Sequence, residues 1–88
     1  MGKIAAIREL VLHGMYYFTD HALAELENDN FDEFDAETVL LHGKIRRSWP
    51  RELKYEVVGQ SIDRRRIGII CRITKTNKLR IITGYEDK

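Results

Sequence analysis

Arginine is the residue type in this chain of 88 residues that points most clearly to chemistry. Its guanidinium group donates paired hydrogen bonds to phosphate and carboxylate groups. Twelve of the fifteen Lys and Arg residues fall between positions 44 and 80. This concentration favours an anionic partner for the second half of the chain. The arginines in it are Arg46, Arg47, Arg51, Arg64, Arg65, Arg66, Arg72 and Arg80.

The two halves of the chain carry opposite charge, although the whole has a net charge of only +1. Residues 1–43 contain two basic and nine acidic side chains, whereas residues 44–80 contain twelve basic and three acidic ones. Two explanations stay open. The basic half binds an anion such as a nucleic acid, or the acidic half packs against it and neutralises it.

Metal and nucleophile chemistry are not favoured by the spacing of the histidines and the cysteine. His13, His21 and His42 fall on three separate predicted helices, and no two have the spacing of metal ligands. Cys71 is the only cysteine, and its place on the apolar side of a strand indicates a core residue. The glycines are isolated and form no phosphate-binding loop. We therefore predict no metal and no cofactor.

The composition is typical of one small globular domain over residues 1–88. No segment is apolar enough to span a membrane, because charged residues interrupt the longest apolar stretch. No signal-peptide pattern occurs either. We expect a cytoplasmic domain.

The arginines must be positioned by strands that follow three predicted helices. Thr19 is a suitable N-cap for the second helix, and Asp35 for the third. Gly14 and Gly43 are natural ends for the first and third helices. The helices are predicted over 3–13, 20–28 and from 35 to 43, with a short β-prone segment at 16–18.

After Gly43 the pattern changes to strands rich in Ile, Val and Tyr. Helices that precede an antiparallel meander predict an α+β domain, with the helices packed on one face of the sheet. The strands are predicted over 44–49, 55–60, 66–74 and 79–85.

The apolar pattern also sets the register of the last two strands. Pairing Ile73 with Leu79 through a loop at 75–77, with Asn77 in the left-handed conformation, places Arg72 directly opposite Arg80. In this register we expect the core-facing residues to be Ile67, Ile69, Cys71 and Ile73 of one strand and Leu79, Ile81, Thr83 and Tyr85 of the other.

Two arginines directly opposite each other repel, at a cost of a few tenths of a kcal/mol up to about 1 kcal/mol. One interpretation is that both guanidiniums of Arg72 and Arg80 hold a phosphate. The other is that an acid neutralises them, either Glu52, Glu56 or a carboxylate from a helix.

Two segments, at 18–22 and 80–86, carry a resemblance to a known family. A Thr-Xaa-His-Ala helix start, a helix ending Leu-Xaa-Gly, a tyrosine-bearing strand, an arginine-rich turn and a closing Ile-Ile-Thr-Xaa-Tyr follow in this order. They resemble the bacterial domain-of-unknown-function family forty-two fifty-eight, over about residues 16–86. That family is in turn distantly similar to RelE/ParE-type toxins, which include ribonucleases with a helix-then-sheet fold. Residues 1–14 precede the matching core as an accessory helix.

The resemblance assigns the family's helix-start histidine to His21, its closing tyrosine to Tyr85 and its turn arginine to Arg65. A ribonuclease without a metal needs a base for the ribose 2′-hydroxyl, an acid for the leaving oxygen and cations for the developing charge. The dipole at a helix start favours the neutral imidazole that a base requires, and a tyrosine can donate a proton or stack on a nucleobase. Both residues have structural alternatives: His21 bonding a backbone carbonyl and Tyr85 closing the core.

Arginines complete this hypothetical site. Arg72 and Arg80 are expected on the phosphate, and Arg46 and Arg47, beside Trp49, add charge next to a stacking surface. Arg65, in a basic turn with Arg64 and Arg66, is expected to contact the nucleic-acid backbone; the alternative is that this turn is only a solvated loop. Trp49 also has a structural alternative, which is to cover the rim of the core.

The preferred interpretation is therefore the toxin of a toxin–antitoxin pair, acting as a metal-independent ribonuclease on free or ribosome-bound RNA. Whether the protein is an enzyme stays open. The alternative is a module that binds nucleic acid or an acidic protein through its basic sheet without catalysis. A third interpretation is a purely structural domain whose acidic helices neutralise the sheet. An antitoxin protein and a second copy, through the first helix, are the expected protein partners.

Overall fold

A computed structural model describes residues 2–88, which form three α-helices and a five-stranded sheet. The α+β class and the order of helices before the meander are confirmed. The helices are α1 (Lys3–Leu12), α2 (Asp20–Asn28) and α3 (Glu33–His42). The strands are β1 (Tyr16–Phe18), β2 (Lys44–Trp49), β3 (Lys54–Gln60), β4 (Arg66–Ile73) and β5 (Leu79–Glu86), with a 3-10 turn at Pro50–Glu52.

The sheet is mixed because the short β1 joins it. The strand order is β1-β5-β4-β3-β2, and β2 to β5 form the antiparallel meander that the sequence predicts. β1 pairs with β5 in parallel, which the sequence does not reveal. The backbone amide of Leu79 donates to the carbonyl of Met15, and that of Thr19 donates to Ile81, so both ends of β1 are tied to β5.

All three helices pack on one side of the sheet. α2 lies against β5, α3 lies against β3 and β4, and α1 packs mainly on α3. The apolar residues between the layers form one continuous core. Its fully buried members include Ile7, Leu26, Val39, Leu40, Val57, Ile67, Ile69, Cys71, Leu79 and Ile81.

The apolar side of α1 packs into the core of its own chain. Ile7, Leu10 and Val11 are buried in the core, and Arg8 Nη2 donates to the carbonyl oxygen of Gly43 at 2.7 Å. The homodimer through this helix stays a prediction, and it would have to use the outer side of α1.

α3 begins earlier than predicted. Its N-cap is Asp32 rather than Asp35, so the assignment of the cap to Asp35 is wrong. The backbone amide of Asp35 donates to Asp32 Oδ1 at 2.9 Å, and that of Asp32 donates to Asp35 Oδ2 at 3.0 Å. Two aspartates three residues apart form a reciprocal capping box, and in such a box the first residue is the cap.

A bulge in β5 changes the side of the sheet on which its last residues lie. The predicted register holds as far as the Cys71–Ile81 pair, after which Ile82 is an extra residue. Because strand side chains alternate, one extra residue moves every later side chain to the other face. The expectation that Thr83 and Tyr85 face the core is therefore wrong.

Gly43, between α3 and β2, has no room for a side chain. A Cβ atom there would meet the carbonyl oxygens of Val58 and, at 2.6 Å, Val39. Backbone atoms cannot rotate away as a side chain can, so we expect Gly43→Ala to lower the free energy of unfolding by about 1–3 kcal/mol in urea denaturation. Gly2→Ala is the control, because no atom lies within 4 Å of the added carbon. Equal effects of the two substitutions would contradict this account.

Candidate nucleic-acid interface

The side of the sheet that faces away from the helices carries most of the predicted site residues. No helix of residues 2–88 packs on this side. Residues opposite each other on paired strands project from the same side, so the register identifies its members. We call this surface the open face. It contains Tyr17, Lys44, Arg47, Trp49, Lys54, Glu56, Val58, Gly68, Ile70, Arg72, Arg80, Thr83 and Tyr85.

One row of side chains on the open face runs across all five strands. Its cross-strand pairs are Tyr17–Arg80, Arg80–Arg72, Arg72–Lys54 and Lys54–Trp49. Neighbouring strands are about 4.8 Å apart, so the row spans about 19 Å. We call it the cationic row. It places three cations side by side and an aromatic side chain at each end.

Arg72 and Arg80 lie opposite each other as the sequence predicts. Both are exposed, and within residues 2–88 neither forms an ion pair. The only contribution of Glu52 is its backbone carbonyl, which accepts from Arg72 Nε at 2.9 Å. Among the described residues, moreover, no ion pair joins an acid of residues 1–43 to a base of residues 44–80. Within residues 2–88, therefore, no carboxylate pairs with either of the two opposed arginines.

A cleft of about 370 Å³ lies at the Tyr17 end of the cationic row. Its walls are the 3-10 turn, the hairpin between β4 and β5, and β1. The turn is held over β4, because the amide of Ile73 donates to the carbonyl of Leu53 at 2.9 Å. We call it the basic cleft, since four cations and one acid line it. The lining residues are Tyr17, Arg51, Glu52, Leu53, Arg72, Ile73, Thr74, Lys75 and Arg80.

The indole ring of Trp49 forms the other end of the cationic row, and two cations lie against it. The guanidinium of Arg47 lies 5.3 Å from the ring centroid of Trp49, and Lys54 Nζ lies 4.8 Å from it. Such cation–π contacts favour one orientation of the ring. A second cleft, of about 430 Å³, opens beside Trp49 and Pro50. The half-buried indole thus lies at the edge of the sheet, between these two cations and the second cleft.

A buried carboxylate occupies the centre of the open face. Glu56 is only 1% exposed and accepts hydrogen bonds from Arg46 Nε at 3.0 Å, from Arg47 Nε at 3.0 Å and Nη2 at 3.1 Å, and from the hydroxyl of Tyr85. Arg46 also donates to Tyr85 and to Asp87. Three predicted site residues, Arg46, Arg47 and Tyr85, are therefore brought together. Sequence reasoning considered Glu56 only as a neighbour of Arg72 and Arg80, because nothing in a strand pattern shows that an outward acid is buried.

The charges of this network follow from its hydrogen bonds. Those from Arg47 and Arg46 lower the pKa of Glu56 to about 2, against the opposing effect of burial. Burial, and then the hydrogen bond to Glu56, raise the pKa of Tyr85. Hydrogen bonds to Glu56 also raise the pKa of both arginines. At neutral pH the network therefore holds an ionised, buried carboxylate, two guanidiniums and a protonated tyrosine.

Comparison with known families assigns the chain to one of them. A family model described as Domain of unknown function (DUF4258) matches residues 18–86. The chain belongs to the DUF4258 family. The predicted membership is confirmed, and the match extends from the end of β1 to the end of β5. No curated protein and no solved structure matches the chain.

His21 in this DUF4258 domain lies away from the cationic row. It belongs to the first turn of α2, which packs on the helix side of the sheet, and its side chain is 67% exposed. Its Nε2 atom lies 3.2 Å from Glu25 Oε1, one helical turn away, rather than bonding a backbone carbonyl. The structure therefore does not bring His21 together with Arg72, Arg80 or Tyr85.

Arg65 ties two loops together. From the turn between β3 and β4 it donates Nη1 to the carbonyl of Asp29 at 2.8 Å and Nη2 to that of Asn30 at 2.7 Å. Its guanidinium lies 3.9 Å from the ring centroid of Phe31 and bonds Asp63. These contacts use most of the donors that a phosphate contact would need. Arg65 lies at the opposite end of β4 from Arg72 and is not part of the cationic row.

Tyr85 shares the open face with Arg72 and Arg80 but not the same row. Its ring lies over Gly68, where a Cβ atom would collide with it. Gly68 is four residues from Arg72 along β4, a separation of about 13 Å in a strand. Tyr85 and the Arg72–Arg80 pair therefore occupy different parts of the open face.

The part of the chain that the structure describes shows neither a metal site, nor an activated thiol, nor a membrane-spanning helix. Within residues 2–88, no three His, Cys, Asp or Glu side chains come close enough together to hold a metal ion. Burial raises the pKa of the Cys71 thiol to about 12, as expected for a core cysteine. None of the described helices is both long and apolar enough to cross a membrane.

The lowered pKa of Glu56 makes a testable contribution to acid stability. The folded state holds its carboxylate ionised down to about pH 2, whereas an ordinary Glu has a pKa of 4.5. The contribution is fully present above the unfolded pKa and is lost as the pH falls through the folded one. We expect Glu56 to account for up to about 3 kcal/mol of the stability lost between these two pKa values, measured by urea denaturation at each pH.

Glu56→Gln should flatten this part of the pH profile. Glu27→Gln is the matched control, because Glu27 is exposed and forms no ion pair in residues 2–88. A carbon-detected NMR titration of the wild-type Glu56 carboxyl measures the same pKa independently. A profile flattened equally by both substitutions, or an ordinary pKa for Glu56, contradicts the assignment.

Proposed function

We propose that the open face of this domain binds single-stranded RNA. The observation that carries the proposal is the cationic row, with three adjacent cations and aromatic side chains at both ends. Proteins that bind single strands combine a positively charged track for the backbone with aromatic surfaces on which bases stack. Sequence-specific RNA-binding proteins also favour unpaired bases, which can be stacked in this way.

The unneutralised charge of the row supports this proposal. Arg72 and Arg80 repel each other across the strand pair, and a phosphate bound between them would remove that repulsion. Arg46 and Arg47 are different, because Glu56 already neutralises part of their charge. The strongest contacts to an anion are therefore expected at Arg72, Arg80 and Lys54.

The acidic helix layer also supports binding of RNA on the open face. Nine acidic side chains lie in residues 1–43, and they are on elements that pack on the side opposite the open face. A polyanion is repelled from that side and attracted to the other. This charge arrangement favours binding of RNA through one side only, and we propose that it takes place in the cytoplasm.

Salt dependence of binding tests the proposal. A fluorescently labelled single-stranded RNA of mixed sequence is titrated with the protein at increasing salt. Three phosphate contacts give a slope of log affinity against log salt of about −2 for a single strand. We expect the double substitution Arg72→Gln/Arg80→Gln to weaken binding by at least about tenfold and to reduce the slope by about 1.4.

Further variants at Arg64 and Trp49 make the same experiment more specific. Arg64→Gln is the matched control for Arg72→Gln and Arg80→Gln measured singly, because it also removes one charge but from an exposed turn outside the open face. Trp49→Ala should cost about 1–3 kcal/mol of binding with an unchanged salt slope, while Trp49→Phe retains most of the affinity. If Arg64→Gln weakens binding as much as each row substitution does, the row is not the binding surface.

A metal-independent ribonuclease, the toxin of a toxin–antitoxin pair, is the second candidate. The observation that favours it is Tyr85, a protonated hydroxyl on the open face with Arg46 and Arg47 beside it. Tyr85 could supply the proton for the leaving oxygen, and the two arginines could stabilise the developing charge. Glu56 is ionised and buried and is too weak a base for the 2′-hydroxyl, so this network lacks a proton acceptor. RNA binding without cleavage is therefore the better supported function.

Mapping of RNA 5′ ends after brief induced expression in a bacterial host separates the two candidates. It detects cleavage of both free and ribosome-bound RNA. We expect no new ends in cells that express the wild type. New ends that disappear with Tyr85→Phe, or with Arg72→Ala/Arg80→Ala, would establish the ribonuclease instead. Loss of the ends with His21→Ala would identify His21 as the base despite its distance from the row.

A further inference from the structure

The basic cleft holds more positive charge than one internal phosphate of an RNA strand can neutralise. Arg51, Arg72, Lys75 and Arg80 line it together with one acid, Glu52. Within residues 2–88 none of the four cations forms an ion pair. An internal phosphodiester carries a single negative charge, whereas a terminal phosphomonoester carries about −1.5 to −2 at neutral pH and has three free oxygen acceptors.

The place of the cleft in the sheet also indicates the end of a strand. Beyond Arg80 the cationic row has only Tyr17, on the edge strand β1. The 3-10 turn and the β4–β5 hairpin both line the cleft, and both are held by hydrogen bonds. Arg72 Nε donates to the carbonyl of Glu52 at 2.9 Å, and the amide of Thr74 donates to that of Lys78 at 2.8 Å. The positive charge is thus concentrated at the Tyr17 end of the cationic row.

We infer that the basic cleft binds the terminal phosphate of the RNA strand, as a phosphomonoester. This inference rests on the proposed RNA binding, and it specifies which part of the strand binds in the cleft. Arg72 and Arg80 hold the phosphate from the floor of the cleft, and Arg51 and Lys75 hold it from the two walls. Tyr17, 44% exposed at the same cleft, stacks on the terminal base. Lys54 and Trp49 then contact the following nucleotides.

Four probes test the inference, namely three forms of one RNA sequence and a nucleoside monophosphate. The probes carry a 5′ phosphate, a 3′ phosphate, or hydroxyls at both ends, and the fourth is the nucleoside monophosphate alone. We expect one of the phosphorylated strands to bind at least about tenfold more tightly than the hydroxyl strand, the equivalent of one charge-assisted contact. Which end is preferred shows the polarity of the strand on the row.

A pair of substitutions on one hairpin assigns the preference to the cleft. Lys75→Gln removes a cation that lines it, and Lys78→Gln removes one from the same hairpin outside it. Lys75→Gln should reduce the preference for the phosphorylated end, with little effect on the hydroxyl strand, and Lys78→Gln should leave the preference unchanged. Arg51→Gln, on the exposed turn, repeats the test at the other wall.

The outcomes separate this inference from the proposed function. Equal affinity for all strands overturns the terminal-phosphate site and leaves RNA binding intact. Absence of RNA binding overturns the proposed function. In that case, saturable NMR shifts of the Arg72 and Arg80 side chains with the nucleoside monophosphate, but not with inorganic phosphate at equal concentration, support a phosphomonoester site for a free nucleotide. Absence of shifts with either probe overturns the site as well.

Discussion

The carboxylate of Glu56 is the interaction on which the open face depends. It is buried under side chains from two other strands, and it accepts hydrogen bonds from β2 through Arg46 and Arg47 and from β5 through Tyr85. Without it, Arg47 would have no carboxylate partner within residues 2–88, Arg46 would keep only Asp87, and the tyrosine hydroxyl would lose its acceptor. The same carboxylate divides the arginines of the sheet into two groups. Those that it binds are partly neutralised, and those in the cationic row pair with no carboxylate of residues 2–88.

Two strand irregularities make this network possible. A bulge in β2 lies between Ile45 and Arg47, so that Arg46 is an extra residue and two consecutive arginines reach one carboxylate. The bulge in β5 at Ile82 carries Tyr85 to the same side. In regular strands consecutive side chains alternate between faces, so neither convergence would occur. Bulges often redirect side chains in this way next to functional sites.

The separation of charge between the two layers is maintained without ion pairs across them. Within residues 2–88, the helix layer and the sheet meet through apolar side chains, and the acidic side chains of residues 1–43 make no ion pair with a base of residues 44–80. The explanation that the acidic half neutralises the basic half by direct pairing is therefore not supported by the contacts. Hydrophobic burial holds the layers together, and this leaves the charge of each outer surface available for long-range electrostatics.

The sequence by itself determined the local features of this protein. The α+β order, the Thr19 cap, the left-handed Asn77 with φ of 60° and the opposition of Arg72 and Arg80 all depend on residues close in sequence or on apolar alternation, and all are confirmed. Family membership could also be predicted from the sequence, because the motifs lie in a fixed order along the chain. Only the tertiary structure decided the side on which Tyr85 lies, the parallel pairing that adds Tyr17 to the cationic row, and the burial of Glu56. Each of these depends on how strands pair in the sheet, including a bulge and a parallel pairing, and not on the pattern within one strand. A single extra residue in a strand leaves the composition and the apolar pattern almost unchanged, yet it reverses every side chain that follows.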